Sequence, residues 1–262
     1  MSIVFSKYQG AGNDFILIND LNESFPKNDN TLISKLCDRR FGVGADGLIL
    51  LRSSDVKDFR MLYFNSDGFE GTMCGNGGRC IVAFAKECGC ISKSSNIVFD
   101  AIDGEHRAEI LISGNILLKM KNVDKIVDKF GGYLVDTGSP HFVKYVEGLA
   151  DLDVFTRGKE IKTNKKCFPE GCNVNFVEDM GEALLAVRTY ERGVEAETLS
   201  CGTGSIAAAI VQHHCGTVFD KYHIKAKGGN LAVTFTYDEQ RGYENVCLEG
   251  PAELVFKGEY QL

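Results

Sequence analysis

The chain of 262 residues has 44% hydrophobic and 25% charged side chains, a composition typical of a globular protein. Its 36 acidic and 29 basic residues give a formal net charge of −7, and no lysine or arginine cluster compensates for it, which argues against a nucleic-acid-binding surface. The length suits one large domain or two of ordinary size.

Hydrophobic periodicity and turn residues predict a strand-rich first half. Two short strands flank the turn Gly10-Ala-Gly-Asn-Asp14, and the first helix is expected to end before Gly42. The predicted strands are 3–5, 15–18, 47–52, 59–65, 95–100, 106–112 and 115–121, and the predicted helices are 31–40 and 77–88.

The second half follows the same plan. Its predicted strands are 132–137, 141–146, 173–178, 184–190, 218–225, 231–237 and 246–256, with one helix at 203–214. Many strands without regular alternation of strand and helix indicate the α+β class.

The two halves resemble each other at a fixed offset of 127 residues. The clearest pair is Cys74-Gly-Asn-Gly77 and Cys201-Gly-Thr-Gly204. The other matches are Phe41 with Phe168, Gly44 with Gly171, Tyr63 with Tyr190, Glu70 with Glu197, and Cys88-Gly89 with Cys215-Gly216. So long a period predicts a duplicated domain, with a boundary near residue 122. Two equivalent halves with one cysteine each would suit removal of a proton from one face of a carbon and its delivery to the other.

Both Cys-Gly-x-Gly motifs stand directly before an apolar-periodic helix. Each cysteine is therefore expected at a helix N-terminus, where unpaired N–H groups and the helix dipole favour ionisation of a thiol. The same N–H groups can hold a substrate carboxylate and stabilise charge that develops beside it. Four other cysteines, at positions 37, 80, 167 and 247, are interpreted as small buried hydrophobes.

Other chemistries fit the ten cysteines less well. The chain begins without a basic region followed by an apolar stretch, and no run approaches the roughly 18 apolar residues of a membrane span. We therefore expect no signal peptide, no membrane association, a cytoplasmic location and reduced thiols.

Zinc sites and thioredoxin-like redox sites both typically contain the spacing C-x-x-C. This spacing is absent, so no metal site is predicted. Gly42-Val-Gly-Ala-Asp-Gly47 matches G-x-G-x-x-G, but it precedes a predicted strand instead of opening a helix, so a dinucleotide site is rejected.

The motifs together resemble the diaminopimelate epimerase family over nearly the whole length. They are Gly10-Ala-Gly-Asn-Asp-Phe15, Phe64-Asn-Ser-Asp-Gly68, Met73-Cys-Gly-Asn-Gly-Gly-Arg-Cys80, Tyr190-Glu-Arg-Gly193 and Ser200-Cys-Gly-Thr-Gly204. The resemblance implies two pseudo-symmetric domains, each a rolled, mostly antiparallel sheet around a central helix, with the substrate in the cleft between them. We expect residues 1–121 to form the N-terminal half, with 254–262 returning to it, and residues 122–253 to form the C-terminal half.

The same resemblance implies cofactor-free inversion of one α-carbon of LL-diaminopimelate to the meso form. Cys74 and Cys201 would be the acid/base pair. His141 and Glu191 would support activity, and a homodimer is implied. The residues that would contact substrate are Asn13, Asn65, Gly75, Asn76, Asn173, Glu191, Arg192, Gly202 and Thr203. Arg192 and the asparagines would hold the distal amino-acid end, because a guanidinium can bind a carboxylate with two hydrogen bonds.

Two positions depart from the family pattern. Ser139 stands where the family often has Asn, and Gly47 where some members have Gln. Two alternatives therefore stay open. One is an epimerase or racemase of the same family acting on lanthionine, histidine or another amino acid. The other is a non-catalytic amino-acid-binding or thiol-sensing protein of the same fold.

Overall fold

The computed structural model describes residues 2–262, and it divides into two compact units. Unit 1 contains the residues up to Leu118 together with Gly250–Leu262, and unit 2 is Lys119–Glu249. The helices are α1 (Asn30–Cys37), α2 (Gly75–Glu87), α3 (Val154–Thr163) and α4 (Gly202–His214), with a 3-10 turn at Leu149–Asp151. The strands are β1 (Ser2–Gly10), β2 (Asn13–Asn19), β3 (Gly47–Arg52), β4 (Phe59–Asn65), β5 (Ile97–Ala101), β6 (Gly104–Ile110), β7 (Ile116–Lys119), β8 (Ile126–Lys129), β9 (Gly132–Asp136), β10 (Pro140–Tyr145), β11 (Asn173–Asp179), β12 (Leu184–Glu191), β13 (Ala196–Thr198), β14 (Tyr222–Ala226), β15 (Gly229–Asp238), β16 (Gly242–Gly250) and β17 (Glu253–Gln261).

The two units share one pattern of strand pairing. In unit 1 the strands pair in the order β17-β1-β2-β3-β4-β5-β6-β7, and the β2–β3 and β4–β5 pairs are parallel. In unit 2 the order is β8-β9-β10-β11-β12-β14-β15-β16, with the corresponding pairs β10–β11 and β12–β14 parallel. All the remaining pairs in both series are antiparallel. This common order confirms the α+β fold class of two duplicated domains.

One helix lies inside the sheet of each unit. Residues 75–82 of α2 are all buried, and α2 packs against β1, β2, β3, β4 and β6. The equivalent helix α4 is nearly as buried and packs against β9, β10, β11, β12, β14 and β15. A helix buried on every side needs a sheet that curls around it. Both helices have thirteen residues and they begin at Gly75 and Gly202, the same position of the repeat.

The predicted strand at 246–256 is wrong. The structure has two strands there, β16 and β17, separated at Pro251. Proline has no N–H to donate to a sheet, so a continuous strand ends at it. The break also marks the point where the chain leaves unit 2 for unit 1.

The helix α3 and the short strands β8 and β13 were not predicted. Gly158 is a weak helix former in the interior of α3, and the hydrophobic pattern of the segment is shallow. The predicted first helix ends early, at Cys37, because the Asp38 backbone is extended and its carboxylate accepts the N–H groups of Arg40 and Phe41. Phe41 is exposed whereas its repeat partner Phe168 is buried, so this sequence match does not correspond to a shared environment.

Within residues 2–262, no helix is both long and apolar enough to cross a membrane.

Candidate active site

Cys74 is the N-cap of α2. Its backbone is extended, with φ −92° and ψ 132°, and its carbonyl accepts the N–H of Gly78 at 2.7 Å. The helix can start here because the first turn is rich in glycine: ideal Cβ atoms on Gly77 and Gly78 would approach Ile49 Cδ1 to 3.2 Å and Met73 Sδ to 2.9 Å. Because these two glycines have no Cβ, the side chains of Ile49 and Met73 can pack directly against the helix backbone. The Cys74 side chain is half-buried at the end of this buried helix.

Asn13 contacts the Cys74 thiol and is bonded to a second asparagine, Asn76. Asn13 Oδ1 lies 3.6 Å from Cys74 Sγ and also accepts the Nδ2 of Asn76 at 3.2 Å. Asn13 is held in turn by Asp46, whose Oδ2 accepts Asn13 Nδ2 at 2.5 Å. The β1–β2 turn thus brings the predicted substrate residue Asn13 to the cysteine of α2.

Arg79 is a residue of this site that the sequence reasoning did not single out. Its side chain is fully buried and donates to Asn76 Oδ1 at 2.9 Å, the Gly75 carbonyl at 3.3 Å and the Pro251 carbonyl at 3.2 Å. The sequence signal was an arginine placed five residues after the cysteine, on a helix whose first turns are otherwise uncharged.

Asn65 ends β4 and is exposed. It pairs in register with Gly47, and its neighbour on the same face, Tyr63, fills the space beside that glycine. An ideal Cβ on Gly47 would lie 2.6 Å from Tyr63 Cε2 and 3.1 Å from its hydroxyl. The Tyr63 ring therefore occupies the place that a side chain at position 47 would need.

Cys201 is the N-cap of α4 and is buried. Its carbonyl accepts both the backbone N–H and the hydroxyl of Ser205 at 2.9 Å, and its Sγ lies 3.5 Å from Thr203 Oγ1. Burial raises the pKa of the Cys201 thiol well above its usual value, and the neighbouring Glu191 carboxylate raises it further, against the lowering effect of Thr203 and the Gly204 N–H. The expectation of an easily ionised thiol at this helix terminus is therefore wrong for Cys201, because desolvation outweighs the helix end.

Glu191, Arg192 and Asn173 lie together where β11 and β12 meet. Thr198 Oγ1 donates to Glu191 Oε1 at 2.7 Å, which aims the carboxylate. Asn173 Oδ1 accepts the backbone N–H of Arg192 at 2.8 Å, while the exposed Arg192 guanidinium donates to the Glu170 carbonyl at 3.3 Å. The predicted distal-end residues of the second half are thus close neighbours.

His141 is fully buried in a hydrogen-bond network. Thr189 Oγ1 donates to Asn175 Oδ1 at 3.0 Å, so Asn175 Nδ2 faces His141 Nδ1 at 3.0 Å and donates to it. The ring proton then lies on Nε2 and points to Ser139 Oγ at 3.0 Å. Burial lowers the pKa of His141 to about 4, so the ring is neutral at physiological pH.

Asn175 is a second residue that the sequence reasoning missed. Besides orienting His141, its Oδ1 lies 2.2 Å from an ideal Cβ on Gly204, so only glycine there lets the amide reach the start of α4. The sequence did contain a signal for it: Asn173 and Asn175 are two residues apart on a predicted strand, so their side chains share one face. Here both amides contribute to the His141 network, since Asn173 Nδ2 donates to Ser139 Oγ at 3.1 Å.

Known proteins of similar sequence and structure can be compared with this arrangement. The diaminopimelate epimerase family model matches residues 5–126 and 133–255. A protein of Flavobacterium psychrophilum named diaminopimelate epimerase is 47% identical, covering 96% of this chain and 97% of its own, and one of Chlorobaculum tepidum with the same name is 43% identical, covering 95% and 98%. A crystal structure of a phenazine biosynthesis protein of the PhzF family from Bacillus anthracis superposes with a TM-score of 0.77 over 100% of both chains at 18% identity, which concerns the fold alone.

The family match covers both halves of the chain, including both cysteine motifs, and the relatives align over nearly their full lengths. The chain therefore belongs to the diaminopimelate epimerase family, and its interpretation as an isomerase is confirmed.

Proposed function

We propose that the chain inverts one α-carbon of LL-2,6-diaminopimelate to give meso-diaminopimelate, with Cys74 and Cys201 as acid and base and without a cofactor or metal. The observation that carries the proposal is the duplication of one chemical unit. Each cysteine caps a thirteen-residue buried helix at the same position of the repeat. Acceptance and donation of a proton at one carbon need two such groups and no more.

The reaction uses a thiolate on one side and a thiol on the other. The thiolate takes the α-proton, and the electron pair of the broken C–H bond is delocalised toward the carboxylate. The thiol then delivers its own proton to the opposite face, which leaves the two sulfurs with exchanged protonation states. No atom is left over and no oxidant or reductant is required.

Backbone N–H groups at the helix starts would stabilise the charge on the carboxylate. The N–H groups of a first helical turn have no partner within the helix. At Gly75-Asn76 and Gly202-Thr203 they therefore offer fixed donors to an anion, with the helix dipole adding to their effect. This is the role that we assign to these four residues.

The remaining assigned residues would recognise the distal amino-acid end. Arg192 and the amides of Asn13, Asn65 and Asn173 supply donors and acceptors for a second carboxylate and amino group. Glu191, fixed by Thr198, would bind an amino group or set the protonation of Cys201. His141 would act through Ser139 and Asn175, because it is fully buried.

The expected setting follows from this activity. We propose a homodimer in the cytoplasm, with a small amino acid as the substrate and no nucleic-acid or membrane partner. The product would serve lysine and peptidoglycan synthesis.

Exchange of the α-proton in deuterated water tests the proposal. LL-diaminopimelate, lanthionine and histidine would be incubated separately with the protein, and deuterium incorporation followed by mass spectrometry. We expect exchange and inversion with LL-diaminopimelate at a kcat/KM at least tenfold above the other two. Preference for lanthionine or histidine would reassign the substrate, and binding without exchange would identify a non-catalytic binding protein.

A further inference from the structure

The buried guanidinium of Arg79 has no ionic partner. Its three hydrogen bonds all go to neutral oxygens, those of Asn76, Gly75 and Pro251. Among residues 2–262, no carboxylate lies within salt-bridge distance of it. An arginine stays charged even when buried, and a buried charge is costly unless an opposite charge lies close by.

Several titratable groups near Arg79 and Cys74 are unsuitable as that opposite charge. Burial raises the pKa of Cys80 to about 12 and raises that of Tyr63 far above its usual value, so both stay neutral. Arg39 pairs with Asp46 at 2.9 Å and with Asp14 at 2.6 Å, and Asp14 also pairs with Lys7 at 2.8 Å. At the far end of α2, Tyr8 contacts Glu87, which also pairs with Lys257.

Cys74 lies at the end of the helix toward which the Arg79 side chain runs. Arg79 Nη1 reaches the carbonyl of Gly75, the residue next to Cys74. Side chains of a helix point toward its N-terminus, so the guanidinium is directed at the cysteine end of α2. The Arg79 charge also interacts electrostatically with Cys80 and, less strongly, with Cys74, and both raise the pKa of Arg79 against the lowering effect of burial. Cys80 stays protonated, because burial raises its own pKa to about 12.

The second unit has the opposite arrangement. The repeat partner of Arg79 is Ile206, an uncharged residue of α4. The charged group that acts on Cys201 is the Glu191 carboxylate, and the Cys201 side chain is more deeply buried than that of Cys74. Both differences favour a thiol at Cys201 and a thiolate at Cys74.

We propose that Arg79 is a positioning residue whose buried positive charge holds Cys74, and not Cys201, in the thiolate form in the resting protein. The proton of the pair then lies on Cys201. The Asn13 carbonyl at 3.6 Å from Cys74 Sγ opposes this, since it can accept an S–H. A weak sulfur–oxygen hydrogen bond to a neutral acceptor is smaller than the effect of a full charge on a fully buried side chain. The inference uses the proposed function only for its kinetic consequence, that Cys74 is the base that starts each turnover.

Alkylation as a function of pH measures the ionisation of each cysteine. The full-length protein would be treated with iodoacetamide between pH 5 and 10, digested, and the modified Cys74 and Cys201 peptides quantified by mass spectrometry. The pH at the midpoint of each alkylation curve reports the ionisation of the thiol. The height of its plateau reports how accessible the sulfur is to the reagent, so a difference in burial between the two cysteines does not shift the midpoint. We expect the Cys74 midpoint below the usual value of about 8.5 and the Cys201 midpoint above it.

Variants of Arg79 identify the cause. In Arg79→Met the Cys74 midpoint should rise by about one pH unit or more, which is a tenfold loss of thiolate at any pH well below both midpoints. Arg79→Lys keeps a positive charge and should restore most of the shift, while the Cys201 midpoint stays in place. Ile206→Met, the matched change in α4, should move neither curve. A merely structural role of Arg79 would not distinguish lysine from methionine.

Three results would overturn the inference: a Cys201 midpoint below that of Cys74 in the parent protein, a Cys74 midpoint that is the same in Arg79→Met, or equal shifts in the lysine and methionine variants. The parent comparison decides even where Arg79→Met does not fold. The alkylation curves need no substrate, so they stand or fall separately from the deuterium-exchange experiment.

Discussion

At the scale of single residues, two effects compete at each helix-capping cysteine. A helix N-terminus stabilises a thiolate by a modest amount, whereas removal of a charge from water destabilises it strongly. At Cys201 the second effect is larger, so the thiol keeps its proton, as the proposed reaction requires of its acid. A buried thiol beside a carboxylate is a suitable acid, because its proton is released only when charge develops on the substrate.

Replacement of either capping cysteine should remove the reaction. We expect Cys74→Ala and Cys201→Ala each to lower kcat by about 10²–10⁴-fold or more, the usual contribution of a general acid or base. Epimerisation of LL-diaminopimelate followed by chiral chromatography measures the effect. Cys215→Ala, an exposed cysteine at the other end of α4, is the control and should keep parental activity. Parental activity in either capping-cysteine variant would contradict the two-thiol mechanism.

His141 should make stability depend on pH. Its pKa is about 4 in the folded protein and ~6.5 in an unfolded chain, so between these values only the unfolded chain binds the proton. Stability therefore falls as the pH drops through 6.5 toward 4. From pH 7 to pH 4.5 the parent should lose about 2–3 kcal/mol more free energy of unfolding than His141→Asn, as measured by urea denaturation. An equal loss in the two proteins would show that the ring is not held neutral.

At the scale of secondary-structure elements, α3 depends on one close contact. An ideal Cβ on Gly158 would lie 2.4 Å from the Cβ of Tyr190, so the helix approaches β12 only because this residue is glycine. Alanine in a helix interior normally stabilises relative to glycine by ~1 kcal/mol. Here the overlap with Tyr190 should make alanine less stable than glycine.

We therefore expect Gly158→Ala to destabilise the protein by about 1–3 kcal/mol in urea unfolding. The control is Glu160→Ala, an exposed position of the same helix, which should change the free energy by less than about 0.5 kcal/mol. A Gly158→Ala protein that is more stable than the parent would mean that α3 can shift away from the strand without cost.

The elements predicted from sequence are those whose own residues determine them. β3 and β4 have the bounds that their hydrophobic runs indicate, and α4 begins one residue before its predicted start. α3 is different, since its stability comes from packing on Tyr190, a contact that local propensity does not contain. The repeat contained a signal for it, because α1 moved by 127 residues falls on 157–164.

In the candidate site, too, some properties could be predicted from sequence and others could not. Motifs identified both cysteines and the polar residues beside them, but they did not reveal that Arg79 is a buried cation or that Cys201 is buried next to a carboxylate. Burial and the absence of an ionic partner are properties of the folded chain. For this reason the residues could be predicted from sequence and their protonation states could not.

At the scale of the whole molecule, unit 1 is built from both ends of the chain. β17 pairs with β1, and Gly258 lacks the Cβ that would lie 2.6 Å from the Phe5 ring. Pro251 also supplies a carbonyl to Arg79. Unit 2 has a corresponding strand pair, β8 with β9, within one continuous stretch.

Removal of the last strand should therefore damage unit 1 selectively. A chain that ends at Gly250 should lose hydrogen-exchange protection at the β1 N–H groups that face β17, and should lose epimerase activity with it. Protection in β9 and β10 should change much less. A chain lacking only Gln261 and Leu262 is the control and should resemble the parent. Retained protection of β1 in the shorter chain would contradict this account.

The placement of β17 also bears on how the protein emerges from the ribosome. Domains usually fold in the order in which they are synthesised. Here β1 is made before unit 2 but pairs with β17, which is made after it, whereas all of unit 2 has been translated by Glu249. The second unit can thus complete its sheet while the first is still missing an edge. The nascent chain would reverse the usual order, and arrest of translation before β17 would leave an exposed strand in the older half of the protein.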